Sequence, residues 1–182
     1  MGNSIKINNQ KIDDNDETTN DDDFNSLPKI FKLPIIKFTE ESLKEHNKYR
    51  KKHNAEPLTL NDSLQNFAQI CANSMAKKNE EFHSECKLDG KVIGESLYSN
   101  KKFFSGKEFT DNLYKDIKNY NFEKSKCVIK ASRFTQLVWK NTKQVGFGLS
   151  LNTNTHHFFA VAIYYPPGNK LGNYKENVQN II

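Results

Sequence analysis

The chain reads as a layered α+β domain, helices packed with an antiparallel strand pair around one core. Three observations predict that class. Leu64, Phe67, Ala68, Cys71, Ala72 and Met75 recur at three- and four-residue spacing, the apolar stripe of an amphipathic helix. Residues 145–151 and 156–165 are apolar, strand-like runs joined by a polar Asn/Thr turn. Ser105-Gly106-Lys107-Glu108 is a capping box that starts a further helix. Helices and a strand pair in this order indicate layers around a single core.

The elements follow in order. Residues 1–25 are rich in Asn, Asp and Thr and read as a disordered tail. Residues 28–38 form an apolar segment in which Pro28 and Pro34 argue against a helix and for an extended course over the surface. Thr39 is placed to cap a first helix, with Glu40 and Glu41 in its first turn and a basic end at residues 48–52. Pro57 and Leu58 make an extended link, and Asn61 or Asp62 caps the striped helix. Cys71 lies on that stripe, where a core thiol is expected. Residues 92–97 read as a short strand or turn. The helix begun at Ser105 turns Phe109, Leu113, Ile117 and Tyr120 inward, and Phe134, Leu137 and Val138 mark a short helix over residues 132–139. Pro166-Pro167-Gly168-Asn169 ends the second strand.

Length and charge bound the rest. At 182 residues with 12% aromatics, the chain suits one packed domain with an extension. Residues 1–37 carry five lysines and seven acidic residues, so the remaining chain carries a net +7 against +5 overall. Such a split suits an anionic partner (an acidic membrane surface, nucleic acid or the tail itself), and plain solubility explains it equally. No basic run interleaved with aromatics marks a nucleic-acid platform. Cys71, Cys86 and Cys127 are too few, and odd in number, for a secreted disulfide scaffold, although one bridge plus a free thiol stays open. No signal-like or membrane-spanning apolar run is visible, which predicts a cytoplasmic, reducing setting. Gly2 after Met1 permits N-myristoylation, with Lys6 standing where the pattern places Ser or Thr. One acyl chain needs a second membrane signal, a role the basic domain could fill.

Four ordered motifs carry a resemblance. These are His46-Asn47-Lys48-Tyr49-Arg50, Gly94-Glu95-Ser96-Leu97, the segment 132–142 around the sole Trp139, and the segment 159–169 ending Tyr164-Tyr165-Pro166-Pro167-Gly168-Asn169. Together they resemble the CAP superfamily of cysteine-rich secretory, antigen 5 and pathogenesis-related proteins (the SCP domain), over about residues 38–180. Ile117-Lys118-Asn119-Tyr120-Asn121-Phe122 and Val138-Trp139-Lys140-Asn141-Thr142 are similar to its Golgi-associated plant pathogenesis-related subgroup. The resemblance implies a three-layer α-β-α sandwich with a central, mainly antiparallel sheet over residues 38–182; the acidic tail within residues 1–37 and the apolar 28–38 segment are not part of the family's usual pattern. It further implies a cytoplasmic protein peripheral on Golgi or other membranes, binding acidic lipids or a protein partner, and able to form homodimers. The wider family's secreted defence or venom role is the extracellular alternative.

Family members often bring two histidines and two carboxylates into a central cleft that binds zinc. Carried over, these positions fall on His83, Glu95, Asp116 and Arg133. Asp116 shortens the usual glutamate by a methylene, and Arg133 replaces the second histidine. Zinc takes imidazole, thiolate or carboxylate lone pairs. Arginine is always protonated and has none to give. The expectation is therefore an ion pair or triad among Glu95, Asp116 and Arg133, with no cofactor. His83, Glu95 and Asp116 remain the weak metal candidates, and Cys86, three residues after His83, is read as chance proximity. A hydrolase would use His83 and Glu95 as base and orienter with Ser96 or Ser99 near by, yet no nucleophile motif accompanies them. His46 is read as a packed, hydrogen-bonded residue and His53 as surface. His156 and His157 start a strand, one in and one out. Lys115, Lys118, Lys124 and Lys126 are the candidate lipid contacts. The resulting expectation is a non-enzymatic membrane-surface module.

Overall fold

The computed structural model describes residues 29–84 and 87–182, with side chains in the first helix from residue 34 onward. The acidic run at 13–23, Gly2, Pro28 and Cys86 lie outside the described residues. The first element is a helix, α1 (Lys29–Lys52), that runs through Pro34. The expected extended course and the cap at Thr39 are both corrected. Proline inside a helix removes a hydrogen bond and costs about 3 kcal/mol. Ile35 and Phe38 on the same turn are buried, and each such side chain contributes about 1.5–3 kcal/mol. Tertiary packing therefore outweighs the local penalty. Phe38 meets Phe109 at 5.5 Å between ring centroids, and the buried Thr39 hydroxyl accepts from the Gln65 amide.

Asn47 brackets the following link with two bonds to Leu58, one to its carbonyl and one from its N–H. Strand β1 (Thr59–Leu60) leads into α2 (Asp62–Lys78). The Asn61 side chain caps α2 by accepting from the Leu64 N–H, and Asn79 ends it in the left-handed conformation. The predicted stripe is the buried face: Leu64, Ala68, Cys71, Ala72 and Met75. A small hairpin, β2 (Lys87–Leu88) and β3 (Lys91–Val92), precedes β4 (Gly94–Asn100).

Helix α3 (Gly106–Tyr114) starts at the predicted capping box, in which Glu108 also accepts from the Ser105 N–H. The helix tightens into a 3₁₀ turn at Lys115–Asn119 rather than continuing as α-helix. A second 3₁₀ turn, Ile129–Ala131, runs into α4 (Ser132–Leu137). The strands β5 (Gln144–Asn152) and β6 (His157–Tyr165) form the predicted antiparallel pair, and α5 (Tyr174–Asn177) follows.

The main sheet has the order β1-β5-β6-β4, with β1–β5 parallel and the other pairs antiparallel. On one side α2 packs over Ile93, Leu97, Phe159, Val161 and Ile163. On the other, α1, α3 and α4 cover Phe147, Ala162 and Tyr164 through Phe38, Phe109, Leu113, Phe134 and Leu137. This is an α-β-α sandwich. Strand β1 pairs only with Gln144 and Val145. Beyond it, the Gln65 and Gln69 amides of α2 take over the bare edge of β5, each exchanging two bonds with the backbone of Phe147 and Leu149. That approach needs Gly148, where an added Cβ would overlap the Ala68 carbonyl.

Candidate functional site

The motif residues of α1 locate the site by locking the segment that carries it. Arg50 is fully buried. It donates to the carbonyls of Leu137, Trp139 and Thr142 at 2.9 Å each and of Glu56 at 2.7 Å. It thereby caps the C-terminal end of α4 and fixes the turn after it. Burial pulls its pKa down to about 10, so it stays charged at neutral pH. His46 lies between the layers, as expected for a packed residue. Its Nδ1 is 2.8 Å from the Ser42 carbonyl and its Nε2 is 2.9 Å from the Tyr164 hydroxyl. Burial pushes its pKa down to about 3, so the ring is neutral, donating at Nδ1 and accepting at Nε2. At the same end of α4, Gln136 donates to Thr142 and accepts from the Gly168 N–H. A side chain at Gly94 would collide with it. The four sequence motifs are thus one mechanical unit.

That unit presents a cleft of about 630 Å³, and His83, Glu95, Asp116 and Arg133 all line it. Each comes from a different element: the loop after α2, strand β4, the 3₁₀ turn after α3, and the first turn of α4. They form two pairs. Arg133 grips Asp116 with both prongs, Nε to Oδ2 at 2.7 Å and Nη2 to Oδ1 at 3.0 Å. Bidentate pairing of this kind is among the stronger charged contacts, and it raises the Arg133 pKa further. Glu95, its side chain 1% exposed, meets His83 Nδ1 at 2.6 Å and accepts from the Ser84 N–H at 3.1 Å. The ion pair expected at Arg133 is therefore formed with Asp116.

The chemistry of these donors can be stated. Both Asp116 oxygens are engaged by the Arg133 guanidinium, which has no lone pair to offer a metal. Among the described residues no three His, Cys, Asp or Glu side chains gather as a metal-holding group. His83 and Glu95 are in base-and-orienter contact, and Ser96, next to Glu95 in β4, lines the same cleft. Ser96 pairs with Ala162 across the sheet, on the opposite face from Glu95, and is 1% exposed. Ser99 shares the Glu95 face about 13 Å along the strand.

Two sequence expectations need correction or completion. His53 is buried rather than exposed: Nδ1 lies 2.7 Å from the Gln179 carbonyl and Nε2 lies 2.9 Å from Tyr114 Oη. The C-terminal segment folds over the end of α1, a contact no local pattern announces. His156 is exposed, in a turn at φ 54°, while His157 opens β6 half-buried. The cleft also gains Glu81, Lys118, Ile129 and Lys130. The only sequence signal for Ile129 was an isoleucine followed directly by a lysine in a lysine-rich loop.

Residues 43–164 match the family model for CAP, described as the Cysteine-rich secretory protein family. The chain is 38% identical over 143 residues to the Golgi-associated plant pathogenesis-related protein 1 of Homo sapiens, covering 78% of this chain and 92% of that protein. It is 29% identical to Venom allergen 5 of Vespula maculifrons, covering 72% and 67% respectively. Among solved structures, the venom allergen-like protein 4 of Schistosoma mansoni superposes with a TM-score of 0.59 at 22% identity, over 72% of this chain and 89% of that one. With its α-β-α sandwich and its four interlocked motifs, this chain belongs to the CAP family.

Proposed function

We propose that this CAP protein is a non-enzymatic module that binds acidic lipid as a peripheral protein on the cytoplasmic face of Golgi or other membranes. The observation that carries the reading is the bidentate Arg133–Asp116 pair. It ties up both Asp116 oxygens with a cation, which supports a cleft without zinc and a partner-binding role for the basic surface. Residues 38–182 hold the net +7 that an anionic surface attracts. A Gly2 acyl chain would add a second anchor, and a protein partner or a second copy could share the same surface. No helix among the described residues is long and apolar enough to cross a membrane. Vesicle flotation of the full chain tests the reading. Binding to vesicles containing phosphatidylserine, lost at high salt, is expected; equal recovery with neutral vesicles overturns it.

One observation favours a second reading, hydrolysis: the 2.6 Å His83–Glu95 contact has the form of a base held by its orienter. Turnover of a peptide or ester substrate that His83→Ala abolishes would establish it over the first. A secreted role, as the venom allergen name suggests for that relative, predicts that a tagged protein with a free N-terminus leaves the cell.

A further inference from the structure

The stretch from the first 3₁₀ turn through the second, residues 115–131, forms a knuckle on the cleft wall. Its root is aromatic. Tyr120 and Phe122 meet at 5.0 Å, and both contact Phe134 of the core. Local bonds hold it: Asn119 to the Lys130 carbonyl joins its two ends, and within the loop the Lys124 N–H donates to Asn121 and the Ser125 N–H to the Asn121 carbonyl. A loop held this way loses little freedom on binding.

Its exposed surface is predominantly cationic. Lys115, Lys118, Lys124, Lys126 and Lys130 all face solvent. None of the five is in an ion pair among the described residues. Of the two acids in the stretch, Asp116 is held by Arg133, which leaves Glu123. Between Lys126 and Lys130 sits Ile129, 86% exposed. Ile129, Lys130 and Lys118 line the same cleft wall, so the apolar side chain stands beside two cations in space as well as in sequence. A single exposed apolar residue is ordinary. One in the 3₁₀ turn that closes a cationic loop, flanked by lysines, matches the two layers of an anionic bilayer, with headgroup phosphates outside and acyl chains beneath.

We infer that this knuckle is the membrane-contact surface: Lys118, Lys124, Lys126 and Lys130 engage anionic lipid headgroups while Ile129 enters the acyl boundary. The inference rests on the lipid-binding reading above and adds to it a defined face of the molecule. The acidic 13–23 run is the competing occupant by charge, and a second copy of the chain is another.

The test is co-flotation of the full chain with phosphatidylcholine vesicles, with and without phosphatidylserine, for the wild type and three variants. A lysine at the surface contributes about fivefold in affinity at physiological salt. The double change Lys118→Gln/Lys130→Gln is therefore expected to weaken binding about 25-fold and to flatten its salt dependence. Ile129→Ser is expected to weaken it several-fold with the salt dependence unchanged. Lys44→Gln/Lys143→Gln, the same charge change on α1 and just before β5, away from the cleft, serves as control and is expected to shift binding less than about twofold. All these side chains are exposed, so thermal melts should coincide. If the wild type binds and the knuckle variants match the control, the knuckle is overturned while the lipid reading stands. If the wild type ignores phosphatidylserine, the lipid reading falls and the knuckle with it. If the 13–23 run or a second copy occupies the knuckle instead, the Lys118→Gln/Lys130→Gln variant changes self-association or protease protection of the tail but not flotation, which also overturns the inference.

Discussion

Replacing Arg50 with methionine should loosen the segment that carries the cleft. The guanidinium holds four backbone carbonyls, those of Glu56, Leu137, Trp139 and Thr142. Each bond to a charged donor is worth about 1.5–3 kcal/mol net of water. Burying the cation takes part of this back: a pKa drawn from 12.5 to about 10 corresponds to roughly 3 kcal/mol. Methionine recovers that desolvation cost but leaves carbonyls with no donor, at about 1–3 kcal/mol for each one that water cannot reach. The expected loss is about 3–5 kcal/mol, the range for breaking a buried charged contact. For a chain of this size that lowers the melting temperature by roughly 10 °C. Urea unfolding followed by circular dichroism measures the total. Fluorescence of the sole tryptophan, Trp139, reports the local effect, since its own carbonyl is one of the four. Arg50→Lys keeps the charge but not the fork, and should fall between the two, at about 2 kcal/mol. A loss below about 1 kcal/mol for the methionine variant would show that the carbonyls find other donors and would refute the locking role.

Acid should destabilise the fold through His46. Its pKa is near 3 when folded and about 6.5 when unfolded, so the unfolded chain binds the proton. The stability contribution is complete above about pH 6.5 and declines by about 1.4 kcal/mol per pH unit down to about pH 3. At about pH 5 the His46 contribution is a loss of roughly 2 kcal/mol; His53, also depressed by burial, acts in the same direction. Urea midpoints at about pH 7 and pH 5 should therefore converge by that amount in His46→Gln, and an unchanged gap contradicts the assignment. Ser105→Ala removes half of the capping box and should cost about 1 kcal/mol in the same assay.

Local chemistry was the legible part of the fold. The stripe of α2, the Asn61 cap, the Ser105 box and the β5–β6 pair are each written in a few neighbouring residues. What was missed depends on distant partners. Pro34 inside α1 contradicts local propensity and holds because Ile35 and Phe38 are buried on the same turn. His53 reads as an ordinary polar helix-end residue until the chain returns with Gln179. The same logic governs the site. The family resemblance, carried over residue by residue, implies that His83, Glu95, Asp116 and Arg133 share one cleft, and the substituted arginine signals a change of charge. Which carboxylate Arg133 would take was left between a pair and a triad. The answer depended on Glu95 pointing to His83 and the Ser84 N–H, while the 3₁₀ turn after α3 delivers Asp116 to the first turn of α4.

The most direct measurement is a calorimetric zinc titration of the wild-type protein beside Arg133→His. With Arg133 closing both Asp116 oxygens, the wild type should show no stoichiometric zinc binding in the micromolar range. Arg133→His removes the cation, frees Asp116 and adds an imidazole to His83 and Glu95, so it should gain such binding. Stoichiometric micromolar binding by the wild type that is lost in His83→Ala would contradict the charge-closed cleft and return the site to metal chemistry.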